Sequence, residues 1–159
     1  MCYYALSKPK ESIVKCKQIY MEFSRLSEYG KSLSLLFARL VVAYGFYEPA
    51  MMKWKDIGSV AEWFGSMGIP FPTLNAYMAA STEVAGVVLL TLGLLTRLIS
   101  IPMIVIMIVA IVTVHLHNGF SAGTNGFEIP LYYMLFLFIF VTNGAGKFSL
   151  DRLIFGEKN

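Results

Sequence analysis

Met78-Ala79-Ala80-Ser81-Thr82-Glu83-Val84-Ala85-Gly86-Val87-Val88-Leu89-Leu90 lies within an apolar run over residues 73–97 that carries one carboxylate, Glu83, near its middle. The run is long enough to cross a bilayer, which takes about 20 residues. A charge at that depth costs roughly 2.5 to 3.5 kcal/mol on insertion scales, so Glu83 is expected to face the interior of a bundle and to have a partner there.

The chain around it has the same character. Of its 159 residues, 57% are hydrophobic and 14% charged, with a mean hydropathy of +0.63. That is too apolar for an ordinary soluble domain and points to an integral membrane protein embedded in the lipid bilayer. The net charge of +3 does not indicate a nucleic-acid partner, because the basic residues form no stripe. Cys2 and Cys16 form no C-x-x-C pair, and residues 1–7 are too short for the apolar part of a signal peptide. The first span is therefore expected to act as the targeting signal.

Four spans are expected, at residues 33–54, 73–95, 98–115 and 128–143. The fold class is an all-α membrane protein, a four-transmembrane-helix bundle. Residues 1–31 are basic, and Ile13, Cys16, Tyr20, Phe23 and Leu26 recur at helical spacing. They read as an amphipathic interfacial segment or a solvated lead-in to the first span. Residues 32–146 form the membrane domain, and residues 147–159 a polar cytoplasmic tail. Between spans one and two, Ile57, Val60, Ala61, Phe64 and Met67 predict a short surface helix over the mouth of the bundle.

Lys and Arg give the orientation. Ten of the thirteen lie in the N-terminal segment, at Arg97 and in the tail, so both termini are expected in the cytoplasm. Within the first span, Arg39, Phe46 and Lys53 are spaced by sevens and share one face, expected to look inward. At about 100° per residue, Arg39 and Glu48 lie on opposite faces. Pro49 removes a backbone donor and predicts a kink. Gly86, Leu90 and Gly93 follow Glu83 on one side of the second span, where small residues allow close helix approach.

The polar candidates are Arg39, Glu48, Lys53, Glu83, His115 and Glu128. Arg39 either snorkels to the headgroups or pairs with a buried acid such as Glu83. Glu48 either reaches the outer interface or faces the bundle. Asn125-Gly126-Phe127-Glu128 also fits a capping box, which would give Glu128 a structural role. His115 and His117 point about 160° apart on a helix, so no metal site is expected unless the chain unwinds. His115 alone could serve as a proton donor or acceptor at the outer mouth. No phosphate loop, nucleophile elbow, dinucleotide fingerprint or haem-attachment motif is present, so no intrinsic cofactor is expected.

Read together, several short elements carry a family resemblance. They are Arg39 and Lys53, Gly68-Ile69-Pro70, Glu83-Val84-Ala85-Gly86 and Leu94-Leu95-Thr96-Arg97. His117-Asn118-Gly119-Phe120, Gly126-Phe127-Glu128 and Gly144-Ala145-Gly146-Lys147-Phe148-Ser149-Leu150-Asp151 complete the series. In this order and spacing, over residues 35–153, the chain resembles the DoxX family of small four-span membrane proteins. Ala50 and Glu48-Pro49 depart from that pattern.

The resemblance implies quinone-linked or thiol- and sulfur-linked redox chemistry in a bacterial inner membrane, within an oxidoreductase that supplies a cytoplasmic or membrane partner subunit. On that view a quinone is a substrate, Arg39 and Glu83 hold or protonate its head, and His115 takes part in the proton chemistry. Lys53, His115 and Glu128 would govern proton access, and the Phe-rich fourth span would wall the cavity. A non-enzymatic scaffold recruiting a cytoplasmic partner, and a small-molecule transporter, are the competing readings.

Overall fold

The computed structural model describes residues 8–156, with side chains from residue 13 onward except at 28 and 29. Six α-helices follow in order: α1 Lys8–Lys55, α2 Ile57–Ser66, α3 Pro72–Leu92, α4 Thr96–Ala110, α5 Glu128–Asn143 and α6 Leu150–Phe155. No strand occurs among the described residues. Three helical stretches, Ile13–Lys55, Pro72–Leu92 and Thr96–Asn118, are long and apolar enough to cross a membrane, and Glu128–Asn143 is a shorter apolar helix. The chain is thus a helical membrane bundle.

The N-terminal segment and the first span join without a break in the helix. α1 runs unbroken through 48 residues, including Pro49. A change from charged to apolar side chains alters what surrounds a helix without interrupting its hydrogen bonds, and no helix-breaking pair stands at residues 31–33. Ile13, Ile19, Tyr20, Phe23 and Leu26 are all exposed, so this part of α1 projects beyond the bundle. Residues 1–7 of the proposed interfacial segment lie outside the described residues.

α1 packs along α3, α4 packs along α5, and α3 joins the two pairs through a tight hairpin with α4. The core lies between them, with Val42, Phe46, Leu90, Met103, Leu137 and Phe140 buried. Gly93 ends α3 at φ +66 and its N–H donates to the carbonyls of Leu89 and Leu90. Gly86 lets Met103 of α4 come so close that a Cβ there would collide with its sulfur. The hairpin is therefore zipped tight near its turn; that end of the bundle is the inner one and the opposite end the outer, as positions along the helices only.

The third span departs from regular α-helix near its end. Ile111–His115 forms a π-helical turn and Leu116–Asn118 a 3-10 turn. The run Ile111-Val112-Thr113-Val114 is rich in β-branched residues, which lose rotamer freedom in an α-helix. The tail also differs from the expected polar extension. Residues 144–151 fold back onto the bundle, and Asp151 is buried.

Candidate functional site

The antiparallel packing of α1 on α3 determines which charges meet. Side chains on a helix lean toward its N-terminus. Lys53 on α1 therefore reaches down into the bundle, while Glu83 on the oppositely directed α3 reaches up to meet it. Lys53 Nζ donates to Glu83 Oε2 at 2.7 Å and Oε1 at 2.8 Å. The Glu83 side chain is 2% exposed and that of Lys53 21%. The carboxylate is thus turned inward and both of its oxygens are occupied.

The same leaning sends Arg39 to the opposite end, and this overturns its expected pairing with Glu83. Arg39 is fully buried, with Nη1 donating to Leu90 O at 3.0 Å and Nη2 to Phe148 O at 2.6 Å. Asp151 supplies a nearby negative charge. Asp151 also accepts from Leu95 N at 2.6 Å and Thr96 N at 3.1 Å, so the folded-back tail caps the start of α4. Those amides are the orphan donors at a helix N-terminus, where a carboxylate is favourable. The backbone of Gly93 lies against the guanidinium and Ser149, leaving no room for a side chain. This inner cluster is closed, and Arg39 lines no cavity among those described.

The outer half is open. A cavity of about 660 Å³ runs from Pro102 and Glu83 up to Ala122, Asn125 and Gly126. That volume falls within the range of small-molecule sites, roughly 300 to 1,000 Å³. Its walls are mainly apolar: Phe46 and Pro49 from α1, Trp63, Phe64 and Met67 around α2, Met78 and Ala79 from α3, and Val105, Ile106 and Met107 from α4. The fourth span was expected to wall it with phenylalanines, but α5 contributes Ile129, Pro130 and Tyr133. Phe140 is buried in the core instead, and Phe136 and Phe138 are exposed on the outside of the bundle.

Lys53, Glu83 and His115 line this cavity, whereas Arg39, Glu48 and Glu128 do not. Glu48 is exposed, on the opposite face of α1 from Arg39. Glu128 accepts from Ala122 N at 2.9 Å through Oε2 and from Tyr132 Oη at 3.1 Å through Oε1, tying down the loop at the outer rim. The expected Asn125 capping box does not form. Asn125 sits at φ +60, and the residue before the helix is Phe127.

Asn125 instead offers its carbonyl to His115, whose Nδ1 lies 2.9 Å away. A carbonyl can only accept, so Nδ1 carries the proton and a neutral His115 keeps a lone pair on Nε2. His117 is exposed, and no group of three or more His, Cys, Asp or Glu capable of holding a metal occurs among the described residues.

Tyr133, which the expected topology already gathers at this end of the bundle, lines the site although it is not one of the six candidates. Its ring packs on Phe46 at 5.4 Å, and its hydroxyl rests against Gly45, where a Cβ would collide with it. Both glycine and tyrosine line the cavity. The available signal is spacing: Ile129, Pro130 and Tyr133 share one face of α5 at i, i+1 and i+4.

The sequence pattern of the DoxX family matches residues 34–116. This protein belongs to the DoxX family. An uncharacterized Haemophilus influenzae protein is 32% identical over 142 residues, covering 84% of this chain and 91% of its own. The Bacillus subtilis protein named "Putative oxidoreductase CatD" is 30% identical over 129 residues, covering 80% of this chain and 92% of its own. The Escherichia coli protein named "Inner membrane protein YphA" is 28% identical over 140 residues, 83% and 99% of the two chains. No solved structure matches the chain. The DoxX match covers α3 and the Lys53–Glu83 pair and stops just past His115.

Proposed function

We propose that this DoxX protein binds a quinone or a similarly small redox molecule in its outer cavity, as the membrane subunit of an oxidoreductase. The observation that carries the reading is the Lys53–Glu83 pair at the inner end of an apolar, ligand-sized space. In that setting the Lys53 ammonium can donate to a carbonyl oxygen and pass a proton to it, and the Glu83 carboxylate can take up the next proton and relay it. Reduction of a quinone to a quinol takes up two electrons and two protons. The electrons come from a partner subunit, and the protons pass through Lys53 and Glu83 with His115 at the rim. The name of the Bacillus subtilis relative supports a redox role.

In this reading α5 crosses the membrane as the fourth span, α2 lies at the outer surface, and both termini face the cytoplasm. The sorting of Lys and Arg supports that orientation. The name of the Escherichia coli relative supports a bacterial inner membrane.

The test is Glu83→Gln in the full-length protein in lipid nanodiscs, with binding of a radiolabelled benzoquinone as the readout. Binding at least tenfold weaker, with the fold intact, supports the reading, and unchanged binding overturns it. The exposed stretch of α1 favours a second reading, a scaffold that recruits a cytoplasmic protein. Removing residues 1–27 separates the two. Loss of a co-purifying partner with ligand binding absent in both forms favours the scaffold.

A further inference from the structure

The cavity has a side as well as a mouth. α3 and α4 leave their tight turn pressed together, with Gly86 against Met103. From there upward, Asn75, Met78 and Thr82 of α3 and Pro102, Val105 and Val109 of α4 line the cavity. Both sets fall at i, i+3 and i+7, so each is a single stripe along its helix. Met78, Val105 and Val109 are also exposed, at 57%, 55% and 43%. A bundle that used its cavity only from the aqueous end would close this flank with packed side chains, as it does one turn lower.

We infer that the gap between α3 and α4 is a lateral slot through which a lipid-soluble ligand enters from the bilayer. Its polar head leads toward Lys53 and Glu83, and its apolar tail remains between the two stripes. The inference rests on the proposed binding of a small redox molecule and adds its class, a ring with a hydrogen-bonding head and a long apolar substituent. Glu83 lies three residues before Gly86, about 4.5 Å along α3 at 1.5 Å per residue, so the pair stands at the floor of the slot. A headgroup arriving from hydrocarbon finds paired charges there, with the Tyr133 hydroxyl also lining the cavity. An acyl chain of a phospholipid could fill the same apolar space, but its charged head would stay at the interface and leave the ion pair without a ligand.

The experiment uses the full-length protein in nanodiscs with two radiolabelled probes, a decyl-bearing trimethylbenzoquinone and the tail-less tetramethylbenzoquinone. Val109→Trp and Val109→Phe place bulk in the slot, six residues past Met103 and so about 9 Å above its contact with Gly86, farther along than Glu83. Leu98→Trp places it on an exposed part of α4 outside the cavity. The expected result is at least tenfold weaker binding of the decyl compound to both slot variants. Binding of the tail-less compound should change less than twofold, and Leu98→Trp should bind like the parent. Equal loss of both probes, or no loss of either, overturns the slot.

Glu83→Gln serves as the separate control on the site. If it leaves both probes bound, the proposed function fails whatever the slot variants do. If it weakens both while the slot variants change neither, the site stands and the lateral route falls. Where Val109→Trp does not yield monodisperse protein, Val109→Phe carries the same expectation. Native mass spectrometry adds the lipid arm: a co-purified phospholipid that the decyl compound fails to displace overturns the inference.

Discussion

The two ends of this bundle use the same materials in opposite ways. Both contain a cation from α1 that leans toward the N-terminus of that helix, and both place it against α3. At the inner end Arg39 finds two backbone carbonyls and the charge of Asp151, and the backbone of Gly93 presses directly on it. At the outer end Lys53 finds one carboxylate, with a cavity of about 660 Å³ beside it. The planar guanidinium suits a site that must satisfy several fixed acceptors at once, while an ammonium on a flexible stem suits one that has to move. A buried charge is therefore poor evidence of a binding site by itself. What distinguishes the two is whether the space around the charge is filled.

The largest effect is expected at the filled end. Arg39→Ala leaves the carbonyls of Leu90 and Phe148 without their donor and Asp151 without its nearby cation, and breaking a buried charged network costs about 3 to 5 kcal/mol. Thermal unfolding in detergent should show a large drop in Tm, beyond that of any substitution at Lys53 or Glu83. A smaller drop than for Glu83→Gln would reverse the comparison. Gly93→Ala comes next. It forces a side chain into both a positive φ and the space held by Arg39, and should cost more than about 1 kcal/mol by the same measurement.

Much of this division was hidden in the sequence for identifiable reasons. The helices were legible because the apolar runs are long and periodic, and the inward turn of Glu83 followed from the cost of a charge in lipid. Its partner was not legible. Pairing depends on the register between α1 and α3, which neither segment's own periodicity contains, and the lean of long side chains then shifts each contact by more than a turn. Asp151 was taken for part of a polar tail because nothing local shows that Ser149-Leu150-Asp151 folds back to cap a helix more than fifty residues earlier. The π-helical turn at Ile111–His115 did leave a trace, in a β-branched run without proline or glycine.

At the open end the expected effects on stability are smaller and those on binding larger. Glu83→Gln removes a charge-assisted pair worth about 1.5 to 3 kcal/mol, discounted because the partly exposed Lys53 can turn outward to water. Lys53→Met should cost more than Glu83→Gln, since it leaves the buried carboxylate alone. The double variant Lys53→Met/Glu83→Gln should be less destabilised than the sum of the two singles, with a coupling of about 0.5 to 3 kcal/mol. Simple additivity in unfolding measurements would show that the two side chains do not act as a pair.

The smallest effect concerns α2, which carries Trp63 and Phe64 to the cavity. Its start is held by Asp56, which accepts from Ser59 Oγ at 2.6 Å and Ser59 N at 3.1 Å. Those hydrogen bonds, the side-chain one first, favour the charged carboxylate and lower its pKa. A lowered folded-state pKa means the cap stabilises α2 fully above the ordinary Asp range, near 3.9. That contribution is lost as pH falls through the lower folded value. Amide-exchange protection of α2 relative to α3 should therefore hold from pH 6 down to about 4 and fall as the pH is lowered further. Asn is as good an N-cap as Asp but does not titrate, so Asp56→Asn should keep the helix protected and remove that pH dependence. If the dependence persists in Asp56→Asn, some other group controls α2. The cavity's upper wall would then be held by the packing of α2 on α3, making the outer end more like the inner one than its open volume suggests.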